Sequence, residues 1–267
     1  MYAVFDVGGT HIRLALSADG RELTSVVAGL PSRPGAQGVA TFVAAMRDLT
    51  AGYQLRGVSG CLPGPVNAVG RLVEAVNLPG WTEVDVAAEL AVALGVPVRL
   101  QHDVTAAAVG EAQRGAGQGY ERLAYVTVST GVNGSLVVAG ESQEPPGGFE
   151  IGRQLLAQAG DQVLSLERLV GGRSMARREG RSAALVTDAA VWQREAMWLA
   201  RGLYNTALYW RPDAIVLGGP MMRDIALAEV VQELQRLPLT GARLPALLPA
   251  SLGDEAGLYG ALCLLPV

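Results

Sequence analysis

The strongest constraint on the fold of this 267-residue chain is a repeat of plan. The strand-like run Leu123-Ala124-Tyr125-Val126-Thr127-Val128, a turn at Ser129-Thr130-Gly131-Val132-Asn133-Gly134 and a second strand over Ser135 to Ala139 restate its opening. There, an apolar strand at 2–7 leads through Gly8-Gly9-Thr10 into a strand at 11–17. Two strand–glycine turn–strand units in two halves imply an internal duplication with a nucleotide held between them. Glycines lack Cβ, so backbone N–H groups can close on an anion, and Thr10 adds a hydroxyl donor. The first strand also brings Asp6 to its turn, where a carboxylate near bound phosphate would hold Mg²⁺ through water. An ordinary hairpin is the plain alternative for either turn alone.

Composition removes many function classes. All 21 basic residues are Arg. Without Lys there is no Walker-type phosphate loop, no protein-kinase lysine and no Schiff-base nucleophile. Two His (His11, His102) and two Cys (Cys61, Cys263), far apart in sequence, write no Cys/His cluster, so no zinc site is expected. The same cysteine count gives no disulfide framework, and no basic region followed by an apolar stretch opens the chain, which points to the cytoplasm. The net charge is −4. The arginines are scattered except for Arg173, Arg177, Arg178 and Arg181, which read as a solvated helix face rather than a nucleic-acid stripe. Apolar runs are broken by Gly long before bilayer length, so no membrane span is expected.

Along the chain, strands at 2–7, 11–17 and 22–28 read as a meander turned at Asp19-Gly20, followed by a helix over Phe42 to Leu49. A buried strand at 56–61 enters the loop Leu62-Pro63-Gly64-Pro65-Val66-Asn67. A helix over Val84 to Leu94 ends at Gly95, and Pro97 opens the strand 98–101. Asp103 follows and begins an Ala-rich helix to Arg114. A long helix from Asp188 to Trp210, a strand at 214–217, the corner Gly218-Gly219 and a closing helix from Asp254 to Leu264 complete the pattern.

These pieces, in this order, resemble the ROK family (repressors, uncharacterised reading frames and sugar kinases) of the actin/hexokinase-like superfamily over essentially the whole chain. The matching residues are Asp6-Val7-Gly8-Gly9-Thr10, Gly64-Pro65-Val66, Asn77-Leu78-Pro79-Gly80-Trp81, Pro97-Val98 before Asp103, Ala106 to Glu111, Thr130-Gly131, Glu150-Ile151-Gly152, Gly218-Gly219 and Leu252 to Gly257. The resemblance implies an α/β, two-lobed actin-like (ribonuclease H-like) fold with duplicated mixed-sheet domains and an interlobe cleft. Its N-terminal lobe would hold 1–104 plus 253–267, and its C-terminal lobe 105–252. It also implies ATP-dependent phosphorylation of a hexose hydroxyl, with Mg²⁺, by a homodimer. Asp103 would be the base that takes the hydroxyl proton, at a strand end and a helix N-terminus whose dipole favours the carboxylate; an N-cap role is the alternative. Gly8, Gly9, Thr10, Thr130 and Gly131 would cradle phosphates, Gly218 and Gly219 would admit the adenosine, and Asp6 would meet Mg²⁺. Gly64, Asn77, His102, Asp103, Glu150, Arg153 and Glu167 would line the sugar site.

The departures from the family pattern carry information. His102 stands where Asn usually precedes the base, and Arg153 stands where His usually follows the sugar-binding Glu150. The Cys-rich zinc loop is missing, and Gln154 to Leu166 supply no Cys or His in its place. Ser129, Asn133 and Ser135 occupy positions where glycines are common. Arg153 either pairs with Glu150, recruits an acidic sugar, or lies in solvent. Only five residues precede Asp6, so no DNA-binding domain is expected ahead of it. Two classes stay open: a sugar kinase with an unusual acceptor, or a catalytically weakened sugar- or nucleotide-binding sensor. Glucose is the default acceptor, with mannose, fructose, allose or N-acetylmannosamine behind it, the last making an N-acylmannosamine kinase.

Overall fold

The structure is a computed structural model that describes residues 1–67, 71–145, 147–238 and 244–265. Its first half runs β1 (Tyr2–Val7), β2 (His11–Ser17), β3 (Ser25–Pro31), α1 (Gly35–Thr50), β4 (Gly57–Leu62), α2 (Val86–Leu94), β5 (Val98–His102) and α3 (Asp103–Arg114). There follow β6 (Arg122–Val128), β7 (Val132–Val138), β8 (Glu141–Ser142), β9 (Leu155–Ala159), β10 (Gln162–Ser165), α4 (Leu166–Val170), α5 (Gly172–Glu179), α6 (Ala189–Trp210), β11 (Ala214–Gly218), α7 (Leu227–Gln235), β12 (Ala246–Pro249) and α8 (Ala256–Cys263).

The chain divides into two compact units. One holds Met1–Gly110, Glu144–Gly148 and Asp254–Val267; the other holds Glu111–Gln143 and Phe149–Gly253. Each contains a five-stranded mixed sheet of one plan. In the first the order is β3-β2-β1-β4-β5, and in the second β8-β7-β6-β11-β12. In both, the leading strand pairs antiparallel with the next and parallel with a later one, so β1 corresponds to β6, β4 to β11 and β5 to β12. The duplication read from the two glycine turns is therefore a duplication of whole sheets.

In the first unit both sheet faces are covered, which is why β1 reads as an apolar run interrupted only by Asp6. Ala3, Phe5 and Val7 pack with Val39, Phe42 and Met46 of α1 and with Trp81 and Leu90. Tyr2 and Val4, one residue out of phase, pack with Leu258, Ala261 and Leu262 of α8. Strand alternation then places Asp6 on the α8 side. In the second unit Ala124, Val126 and Val128 of β6 pack with Ala196, Leu199 and Leu203 of α6 and with Val230 of α7.

Where element bounds differ from expectation, local hydrogen bonds explain it. The third strand begins at Ser25 rather than 22 because the Asp19 carboxylate accepts from Arg21 N and Glu22 N, extending the turn. The helix expected from Phe42 starts at Gly35; its first turn is Gly-Ala-Gln-Gly, which carries no apolar signal. The second glycine turn closes after Gly131, earlier than expected, because Ser129 N donates to Gly131 O and Val128 pairs directly with Val132. The stretch expected only to lack zinc ligands, 154–166, is the hairpin β9–β10. Among the expected solvated arginines, Arg178 instead reaches the fully buried Glu195 at 2.7 Å. Burial raises the Glu195 carboxyl above its ordinary range, and Arg178 pulls it part of the way back.

Candidate functional site

Asp6, the last even residue of β1, reaches the start of α8 beside Gly257. A Cβ at Gly257 would stand 2.8 Å from the Asp6 Cγ, so only glycine admits the carboxylate there. The Cys61 thiol on β4 donates to Asp6 Oδ1 at 3.2 Å, and Arg13 on β2 reaches Oδ2 at 3.4 Å. Arg13 also pairs with the exposed Asp254 at 3.3 Å. Burial raises the Asp6 carboxyl above its usual range, with the thiol and the guanidinium opposing. Burial and the nearby Asp6 and Asp103 charges push the Cys61 thiol well up, so it stays a neutral donor.

The Gly8-Gly9-Thr10 turn follows directly. Gly8 N donates to His11 O at 2.9 Å, and Thr10 and His11 are exposed at its tip. Asn77 lies against it, its Cβ 2.9 Å from where a Gly9 Cβ would be. Gly64 opens a loop closed by a bridge between Val66 and Leu72.

Asp103 stands at the junction of β5 and α3. Its Oδ1 accepts from the adjacent Val104 N at 2.8 Å, and Asp103 is itself the first residue of α3, so the contact is not the bond to the second or third helical N–H that an N-cap makes. His102 Nε2 lies 3.3 Å from the same Oδ1, while His102 Nδ1 lies 2.9 Å from Glu144 Oε1. His102 is buried, whereas Asp103 keeps a third of its side chain exposed. Desolvation lifts the Asp103 carboxyl to about 6; His102 and Val104 N oppose the rise, and Asp6 and Glu144 add to it. A carboxylate so placed is ionised at neutral pH yet basic enough to take a proton.

The second unit gathers the remaining expected residues around its own turn. Gly172 N donates to Ser129 O at 2.9 Å and Arg173 N to Thr130 O at 3.0 Å, so the start of α5 straps the turn. Glu167 Oε2 accepts from Val132 N at 3.1 Å, and a Cβ at Gly131 would lie 2.2 Å from that oxygen. Gly219, with φ +92°, sits against Val128 O and the Thr127 hydroxyl, and Gly218 against the Tyr125 hydroxyl. Gly152 abuts Val132 O. Glu150 and Arg153 pair with each other at 3.1 Å, and both are largely exposed.

Asp6, Gly8, Gly9, Thr10, Gly64, Asn77, His102 and Asp103 thus lie in the first unit, and Thr130, Gly131, Glu150, Arg153, Glu167, Gly218 and Gly219 in the second. Sequence reasoning passed over Glu144, Thr105, Arg13 and the thiol of Cys61 as site residues. Glu144 has no local signal, since its partner is 42 residues away. No three His, Cys, Asp or Glu groups gather as a metal cluster among the described residues. No helix among them is long and apolar enough to cross a membrane.

A pair of like-ordered mixed sheets, each with a glycine turn after its leading strand, defines the actin-like class of α/β fold. The chain belongs to the ROK family, whose pattern it matches over residues 2–267. It is similar to the fructokinase of Pediococcus pentosaceus, 27% identical over 201 residues covering 70% of each chain. Among solved structures it resembles the ROK hexokinase of Thermus thermophilus, with TM-score 0.81 and 29% identity over 98% of this chain and 96% of that one. A ROK glucokinase from Streptomyces griseus, solved with glucose and AMPPNP, shares the fold with TM-score 0.80 at 23% identity over 98% of each chain.

Proposed function

We propose that the protein transfers the γ-phosphoryl group of ATP to a hexose hydroxyl in the cytoplasm, with Asp103 as the base. One observation carries the reading: Asp103 is a part-exposed carboxylate raised to about 6 and fixed through a single oxygen. Phosphoryl transfer asks the protein for alignment and charge stabilisation more than for covalent chemistry. In this reading Asp103 accepts the hydroxyl proton while the acceptor oxygen attacks the γ-phosphorus and the bond to the bridging oxygen breaks, releasing ADP. Gly8, Gly9 and Thr10 meet phosphate oxygens from the first unit, and Thr130 and Gly131 from the second. Asp6 suits Mg²⁺: its carboxylate stands one residue before the end of the strand at the turn, and burial beside Arg13 and a thiol leaves it a charge that a cation there would stabilise. Mg²⁺ bound there through water would neutralise phosphate charge. Gly218 and Gly219 would meet the adenosine, and Gly64 and Asn77 would line the sugar's side of the first unit.

Similarity to a fructokinase and a hexokinase supports trying hexoses first in a screen. The Glu150–Arg153 pair supports an acceptor that competes for or replaces that contact. In an ATP-coupled screen with Mg²⁺, hexoses and acylated aminosugars, at least one acceptor is expected to turn over, and Asp103→Asn to lose about 10²-fold or more in kcat. The base works only as carboxylate, so kcat/KM of the wild type should fall about tenfold per unit as pH drops below about 6. Folding disfavours the ionised form of a group whose carboxyl is raised, a cost present above about 6 and fading toward the ordinary value below it. Asp103→Asn should therefore melt higher than the wild type while turning over less. Wild-type turnover in that variant, with every acceptor tried, would remove Asp103 from the chemistry.

A further inference from the structure

We propose that Glu144 is a positioning residue for Asp103, acting through His102: it keeps the imidazole charged and its Nε2 against Asp103 Oδ1, so that Oδ2 is the oxygen left to take the proton. The inference rests on the reading of Asp103 as the base.

One imidazole here faces two carboxylates, Glu144 Oε1 at 2.9 Å from Nδ1 and Asp103 Oδ1 at 3.3 Å from Nε2. A neutral ring carries one N–H and would turn a lone pair toward one of them; only the imidazolium donates to both. A carboxylate on each side favours that charged form. Glu144 is itself fixed, because its second oxygen accepts from the buried Thr105 hydroxyl on α3. Gly148, at φ +81°, folds the chain over the pair; a Cβ there would stand 2.9 Å from Glu144 Oε1 and 3.6 Å from His102 Nδ1. The segment Glu144–Gly148 belongs by its contacts to the first unit although the chain on either side of it belongs to the second. Its Pro145 carbonyl accepts from Gly148 N at 2.9 Å, closing the turn that presents Glu144.

Asp103 Oδ1 thus accepts from Val104 N and has His102 Nε2 beside it at ion-pair distance, while Oδ2 has neither contact among the described residues. The titratable and charged groups facing Asp103 are His102 on β5, Asp6 on β1 with Arg13 behind it, Cys61 on β4, and Glu144. The pull of His102 on the Asp103 carboxyl exceeds the push of Glu144. Removing the Glu144 charge, and with it the proton on His102, therefore leaves a base that is harder to ionise and free to rotate.

The test uses the full chain with the acceptor found in the screen. Glu144→Gln is expected to lower kcat about tenfold, leave the sugar KM within about twofold, and move the acidic limb of the rate profile upward by about half a pH unit or more. Nitrogen-15 spectra of the unliganded protein at pH 7 provide a readout independent of turnover, with His11 as the only other histidine. Both ring nitrogens of His102 should carry protons in the wild type and only one in Glu144→Gln. Where that variant fails to fold, Thr105→Val, which removes one hydrogen bond to Glu144, should give a smaller change in the same direction. In a His102→Asn background, adding Glu144→Gln should change nothing further. An unmoved acidic limb with unchanged ring protonation, an equal loss in the His102→Asn background, or a rise in KM with kcat intact would each overturn the proposal. Wild-type turnover in Asp103→Asn would instead overturn the reading beneath it, and the nitrogen spectra would still decide the state of the pair.

Discussion

The two glycine turns sit at equivalent places in two sheets of the same order, and they are built differently. In the first unit the strand before the turn carries Asp6 one residue from its end, held by Arg13 and a thiol, and the turn itself is tied to itself at Gly8 and His11. The equivalent strand position in the second unit, matched through the pairs Asp6–Arg13 and Thr127–Asn133, is a neutral threonine. Its turn is one residue tighter and strapped from outside by Glu167, Gly172 and Arg173. Duplication preserved the strand order and let the chemistry diverge: charge in one copy, rigidity in the other.

This contrast is sharpest at Asp6. Asp6→Asn keeps the shape of the side chain but removes the charge at the first turn. Turnover is expected to fall on the order of 10²-fold, the scale of losing one preorganised electrostatic contact, with the Mg²⁺ requirement shifted to higher concentration. Thr127→Val, the matching change in the second unit, should stay within a few-fold. Titrating kcat against Mg²⁺ for both variants checks the asymmetry, and equal losses would mean that both turns hold charge in the same way.

The fold was legible because its signals are local. β1 and β6 are apolar on both faces, each turn carries glycine, and α6 spans 22 residues with buried positions spaced for one face. The lesser elements were not legible for equally local reasons. α4 and α5 are five and eight residues long and divided by Gly171 and Gly172, too short for a period to declare itself. In the site, residues embedded in a motif could be read. Asp6 and Asp103 stand at strand ends beside glycine or a helix start, a pattern visible in sequence. Glu144 could not be, since Glu144-Pro145 reads only as loop and its meaning comes from His102 across a long stretch of chain. His102 stands out as a departure from the family pattern and reads in sequence as lining the sugar site; in the fold it contacts two carboxylates, Asp103 and Glu144, the second of which no local pattern announces.

A middle-sized effect is expected at Glu167, which separates strap from sugar ligand. Val132 is buried, so Glu167→Ala leaves its N–H without an acceptor, at a cost of about 1–3 kcal/mol. In a domain of this size that is about 2–4 °C in Tm for each kcal/mol. Glu167→Gln keeps an acceptor oxygen and should melt near the wild type. Calorimetry of the two variants beside their sugar KM decides the role: an unchanged Tm in the alanine variant with a raised KM would move Glu167 from the turn to the sugar.

The smallest expected effect lies in the exposed one of the two ion pairs that mark the departures of this chain. His102 is buried against its carboxylates, whereas Arg153 and Glu150 are 68% and 43% exposed. An exposed pair contributes about 0–1 kcal/mol, so Arg153→Ala should shift Tm hardly at all. Any consequence of breaking it must then appear in acceptor choice. A guanidinium stays charged and accepts no hydrogen bond, and while it holds Glu150 the carboxylate meets a sugar hydroxyl less readily. Arg153→His restores a ring that can accept a bond and releases Glu150. Turnover of a neutral hexose should rise a few-fold, and binding of any acidic sugar should weaken. Acceptor preference unchanged across the screen, with Tm unchanged as well, would place the exposed pair outside the site and leave the buried His102 cluster as the source of specificity.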